Sequence, residues 1–253
     1  MITERFSEGS SPLHRIDPRV KICIAFPLVF AVALSNRYSA ILLGVIGAVF
    51  LVFIARIRWK PAMESLRVLL VFIALLWIFL PLGMYGEVRY TVGPFNLSEA
   101  GIRRALTISL KSFSIVLYII TLLSTSTIFA LAHAMHHLRV PRKLLYLIVL
   151  SYRYIQVIHD EYLKMKNAMR VRGFKPKTNV HTYRTFAYLA GMLLVRSYDR
   201  AERIHNAMVL RGFQGRFYLL HHFEIGRKDV IFSFSLSLLI LGIIWLEWII
   251  KIG

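Results

Sequence analysis

Cysteine is almost missing from this chain: Cys23 is the single one, inside an apolar run, so no intrachain disulfide can form. A lone cysteine in such a run reads as a small hydrophobe. Acidic residues are scarce, 13 Asp+Glu against 32 Lys+Arg, for a net charge of +19. No Gly-rich phosphate-cradling loop occurs, so the chain is not itself expected to hydrolyse ATP. The polar stretch Met1 to Ser11 lacks a short apolar region with a cleavage site, and no removable signal peptide is expected. What the chain has in excess is apolar side chain: 57% of 253 residues, with mean hydropathy +0.59. A soluble domain of this size rarely carries so much. The positive balance alone would suit nucleic acid, an anionic membrane or an acidic protein. Long apolar runs decide for the membrane and against nucleic acid.

Ile22 to Ala55 is apolar except around Ser35-Asn36-Arg37, too long for one straight span. Two helices are expected, roughly 20–35 and 38–55, with Pro27 kinking the first. Val68 to Tyr85 reads as a third span, and Met84 to Gly101 as a polar loop rich in Gly and Pro. Ala105 to Ala132 reads as one long helix of roughly 42 Å with one charge, Lys111, expected to snorkel to the interface. Val230 to Ile250 is the fifth span, with Trp245 and Trp248 as interface anchors and Glu247 given the same bland role as Lys111. The expected class is therefore an all-α polytopic membrane protein of about five transmembrane helices plus an interfacial or cytosolic helical region. The expected domains are 1–132, a membrane part; 133–229, cytosolic helices; and 230–253, a last span. Leu144–Leu150 and Phe186–Val195 fall short of spanning length and read as amphipathic surface helices.

Orientation follows from charge. A cytosolic N-terminus puts 26 of the 32 Lys/Arg on the cytosolic side, as the positive-inside rule demands.

Within 133–229 the chain echoes itself. Asp160, Ala168, Met169, Arg172, Gly173 and Phe174 recur as Asp199, Ala207, Met208, Arg211, Gly212 and Phe213, each offset by 39 residues. Glycine after a helical stretch suits the left-handed position past a helix end. Arginine before it favours the negative end of the helix dipole, and its fork suits a carboxylate or carbonyl cluster. Two helices would each end in an Arg-Gly tip. The bland reading, about as good on this echo alone, is ordinary capping beside lipid phosphates.

The chain resembles the transmembrane (T) component of energy-coupling factor transporters, importers of the ATP-binding-cassette class, and most closely the cobalt/nickel-type Q subunit. The segment Ser11-Pro12-Leu13-His14-Arg15-Ile16-Asp17-Pro18-Arg19-Val20-Lys21, the turn Leu138-Arg139-Val140-Pro141, the pair Arg153-Tyr154 and the two Arg-Gly tips carry the resemblance. Gly212-Phe213-Gln214-Gly215-Arg216-Phe217 points to the cobalt/nickel branch rather than the vitamin branch. The resemblance implies that Ala168, Arg172, Gly173 and Phe174, and Ala207, Arg211, Gly212 and Phe213, end helices that dock in grooves of two cytosolic ATP-binding-cassette ATPase subunits. It implies a membrane substrate-capture (S or M) subunit, with room for a small accessory membrane subunit, and no cofactor. The family alanine before each arginine is Val171 and Leu210 here.

Other readings are weaker. His133, His136 and His137 share helical spacing, and His221-His222 follow later, but no carboxylate or thiolate sits among them, which argues against a metal site. A lipid-acting membrane enzyme would need clustered acids; Asp160, Glu161, Asp199 and Glu202 lie among basic residues and suit ion pairs instead. A stand-alone carrier or channel would need charges in several spans, and only Lys111 and Glu247 are found.

Overall fold

The computed structural model describes residues 11–57, 59–83, 88–92, 95–138, 140–213 and 226–249. It divides into two compact units, one of residues 3–138 and 223–253, the other centred on 139–222.

The first unit opens with a 3-10 turn, Pro12–Arg15, and then α1, Pro18–Leu34. Asp17 caps α1 by accepting the Arg19 backbone N–H at 2.8 Å, and Pro18 suits the first helical position. Ser35 to Arg37 turn the chain into α2, Tyr38–Ala55, which ends on Arg56 in the left-handed region at φ 47°. Next come α3, Trp59–Gly83, and α4, Glu99–Leu122. α5, Ile128–His137, follows, and α8, Arg227–Ile249, completes the unit. α4 is the hub, packing on α1, α2 and α3, while α8 lies against α1 and α2.

Among the described residues, four helices are long and apolar enough to cross a membrane: α2, the 66–83 part of α3, α4 and α8. α1, at 17 residues, spans about 25 Å, at the short end for a bilayer. Its Val32 and Leu28 are fully buried in the core, and Cys23 faces outward. Tyr118 of α4 is also fully buried, and its hydroxyl donates to the Gly44 carbonyl of α2 at 2.6 Å. Gly47 makes that approach possible, since a Cβ there would stand 2.7 Å from the Tyr118 hydroxyl and 2.5 Å from Leu239.

Two expectations are corrected. The run 105–132 is not one helix: α4 stops at Leu122 and α5 starts at Ile128. The hydroxyl run Ser124 to Thr127 breaks it, because such side chains compete for backbone groups. Thr125 donates back to the Thr121 carbonyl at 2.8 Å, and Thr127 caps α5 by accepting from Ala130 N at 3.2 Å. The stretch after α3 is not all loop: β1, Val88–Val92, and β2, Phe95–Ser98, pair antiparallel with a register shift between Val88 and Tyr90. The chain remains an all-α polytopic membrane protein apart from this hairpin.

The second unit is a pair of long helices, α6, Arg142–Val171, and α7, Val180–Leu210. At 30 and 31 residues each reaches about 45 Å. Asn179 caps α7, accepting from the Thr182 backbone N–H at 2.9 Å. The two helices are joined by a Glu161–Arg196 ion pair, an interhelical use for one of the grouped acids.

Candidate functional site

Each long helix ends the same way. At the end of α6, Arg172 is the cap and Gly173 follows at φ +80°; Phe174 N–H reaches the Met169 carbonyl at 3.1 Å and Gly173 N–H the Arg170 carbonyl at 3.0 Å. At the end of α7, Arg211 is the cap and Gly212 follows at φ +81°; Phe213 N–H reaches the Met208 carbonyl at 3.0 Å and Gly212 N–H the Val209 carbonyl at 2.9 Å. Both are complete Schellman caps, with the paired outer and inner bonds of that motif. The requirement for glycine is the positive φ, which a side chain resists. The 39-residue echo is therefore one local structure made twice.

The side chains match as well. Ala168 and Ala207 are exposed, Met169 and Met208 half-buried, Arg172 and Arg211 exposed, Phe174 and Phe213 half-buried. Val171 and Leu210, the residues that replace the family alanine, are 89% and 88% exposed. Each tip thus offers a bare apolar side chain directly beside a guanidinium. That pairing suits a groove with an apolar floor and an acidic or carbonyl-rich rim.

The two tips are not brought together. The Phe174 ring stands 5.9 Å from Phe186, edge-on, and 6.3 Å from His181. The first tip therefore rests against the beginning of α7, whereas the second is its far end. The 24 helical steps from Phe186 to Leu210 make about 36 Å of helix. Two tips this far apart cannot share one small groove.

The profile of the CbiQ family, described as cobalt transport protein, matches residues 9–219. The chain belongs to the CbiQ family. It is a transmembrane component of the energy-coupling factor transporters, a non-catalytic class of transporter subunit. Curated relatives named energy-coupling factor transporter transmembrane protein EcfT include that of Bacillus subtilis, 28% identical over 227 residues, covering 85% of each chain. The EcfT 1 of Listeria monocytogenes is 26% identical over 266 residues, covering 98% of each chain. That of Streptococcus equi is 24% identical over 229 residues, covering 85% of this chain and 84% of its own.

Of the quoted family stretches in this CbiQ-family chain, Arg153 and Tyr154 are in cation–π range on α6, 5.9 Å apart. Arg139 and the run Gln214-Gly215-Arg216-Phe217 lie outside the described residues, as do His221 and His222. The side chains of His136 and His137 also lie outside them, and His133 is half-buried on α5. Among the described residues, no three His, Cys, Asp or Glu side chains converge on a metal-sized site.

Sequence reasoning missed a polar lock in the membrane unit. The Lys21 side chain is 1% exposed, and its ammonium donates to the Thr125 hydroxyl at 3.1 Å and the Ser126 hydroxyl at 2.9 Å. Beside it, Asp229 at the start of α8 accepts the Asp17 backbone N–H at 3.0 Å and the Gly226 backbone N–H at 2.8 Å. The starts of α1 and α8 and the α4–α5 break are thereby tied at one end of the bundle. The available signal was a lysine one turn inside a span, facing a four-residue hydroxyl run elsewhere in the chain.

Lys111 and Glu247 are the counterpart at the other end. Lys111, expected simply to snorkel, donates to the Ala33 carbonyl at 3.0 Å, where the last carbonyls of α1 lack partners. Glu247 accepts the Asn36 and Arg37 backbone N–H groups at 3.0 and 3.1 Å, at the start of α2. Each charge meets the helix end of opposite polarity.

Proposed function

We propose that this chain is the coupling subunit of an importer for cobalt or nickel. It transmits the ATP-driven motion of two cytosolic ATP-binding-cassette ATPases to a membrane substrate-capture subunit. The observation that carries the reading is the duplicated tip: the same Schellman cap twice, each bearing an exposed arginine and a bare apolar residue. Two like tips about 36 Å apart fit two copies, or two close relatives, of one partner fold. In this reading Arg172 and Arg211 make charge-assisted bonds in the grooves, while Val171 and Leu210 fill them. Ala168 and Ala207 allow close approach of the groove wall, and Phe174 and Phe213 brace the caps. Closure of the ATPase pair then moves the two helix ends, and rigid helices of about 45 Å act as levers.

The N-terminus lies in the cytosol, on the same side as the tips, in keeping with the 26 cytosolic Lys/Arg that orientation gives. The family description favours cobalt, and the EcfT names of the relatives specify no substrate. Metal selection falls to the capture subunit, with room in the complex for a small accessory membrane subunit. Co-expression of the Arg172→Glu/Arg211→Glu variant with the ATPases and capture subunit tests the reading. Loss of ATPase co-purification and of metal uptake, with the chain still membrane-inserted, is expected. Undiminished assembly and uptake would refute it.

A further inference from the structure

A cleft of about 530 Å³ opens beside the 3-10 turn, between the end of α2 and the start of α8. Leu13, Ile16, Ile54 and Phe232 make its wall, and Arg56 and Lys228 line it as well. Its size is that of a cleft for one small ligand. Arg56 is the residue at which α2 ends, and Lys228 lies in the first turn of α8, so both cations stand at the same end of two spanning helices. Both are exposed. The nearest acid in sequence, Asp229, is buried, and its two oxygens accept the Asp17 and Gly226 backbone N–H groups. No carboxylate lines the cleft among the described residues.

An apolar slot with two cations at the depth where a span meets water has the complementarity of one molecule type. We infer that this cleft binds an anionic glycerophospholipid, its phosphodiester between Arg56 and Lys228 and part of one acyl chain along Ile54 and Phe232. A zwitterionic lipid would bring its own ammonium to the two cations and bind less well. The left-handed backbone at Arg56 turns the chain out of α2 at this point. Lipid bound here would bridge the ends of α2 and α8 and the 3-10 turn that leads into α1. The site is independent of the helix tips.

Native mass spectrometry of the full chain, released from micelles holding equal phosphatidylglycerol and phosphatidylcholine, tests this. The expected result is one retained phosphatidylglycerol with a preference of roughly 30-fold, from two headgroup cations acting together. Arg56→Gln/Lys228→Gln should abolish the preference. Lys228→Gln alone, a milder change at an exposed position, should lower it roughly 5-fold. The matched pair Lys164→Gln/Lys166→Gln, on α6, should leave it unchanged. Equal retention of the two lipids by the native chain would overturn the inference, as would an equal loss in the α6 control.

Discussion

The Glu247 carboxylate accepts the backbone N–H of Arg37 at 3.1 Å, joining residues 210 positions apart in the chain. The same oxygen accepts from Asn36, so one acidic side chain near the end of α8 caps the start of α2. Glu247→Gln should keep one acceptor and cost little. Glu247→Ala should cost about 1 kcal/mol through loss of the cap and of the favourable dipole interaction. Thermal unfolding of the detergent-solubilised chain reads the difference, and an Ala variant as stable as Gln would contradict the cap.

Lys21 predicts an effect at the opposite end of the bundle. Its buried ammonium bonds two hydroxyls at the α4–α5 break, so Lys21→Met keeps the volume but removes both bonds. Bonds to a charged group are each worth roughly 1.5–3 kcal/mol, less the gain from no longer burying a charge. A net loss of about 1 kcal/mol, seen as a lower unfolding temperature, is expected. Limited proteolysis should also cut more readily between Leu122 and Ile128. Unchanged stability and cleavage would mean that the break is set by the hydroxyl run alone.

The tip glycines predict a graded series. At φ near +80°, Gly173→Asn and Gly212→Asn should be tolerated better than the alanine variants, and alanine better than valine. Alanine should cost about 1 kcal/mol at each tip, fraying the last turn and moving the arginine that follows Val171 or Leu210. ATPase capture should fall in the order Gly, Asn, Ala, Val. Equal capture by all four would show that the cap geometry is irrelevant to docking.

The Glu161–Arg196 pair predicts a rescue. Arg196 is half exposed, so the pair should contribute little to stability, under about 1 kcal/mol. Its role in fixing the crossing of α6 and α7 should appear in function: Glu161→Arg and Arg196→Glu singly should lower metal uptake, and the charge-swapped double variant should restore it. A double variant no better than the singles would show that the pair does not set the crossing.

Much of this was legible in the residues. Apolar runs showed the helices, because a membrane span must be apolar along its whole length. The echo showed the tips, because a Schellman cap leaves a local signature of glycine and its helical neighbours. The α4–α5 break was hidden because Ser124 to Thr127 are mild enough to pass inside an apolar average, and the run was read as one helix. The hairpin was hidden because Gly and Pro around it signal a loop equally well. The bonds of Lys21, Lys111 and Glu247, and that of Asp229 to Asp17, were hidden because their partners are remote in the chain, and three of the four residues use backbone groups, which carry no sequence identity. The exposure of Val171 and Leu210 was hidden too, because an apolar residue at a helix end reads equally well as buried.

The central claim is that the tips of α6 and α7 each seat in a separate ATPase. In a Cys23→Ser chain carrying Val171→Cys and Leu210→Cys, assembled with its ATPases and capture subunit, a thiol-reactive photo-crosslinker placed on the tips tests it directly. The account predicts single chains joined to two ATPase subunits at once, and to one in each single-cysteine chain. Double-cysteine chains that never carry more than one ATPase, or crosslinks only to lipid, would contradict it.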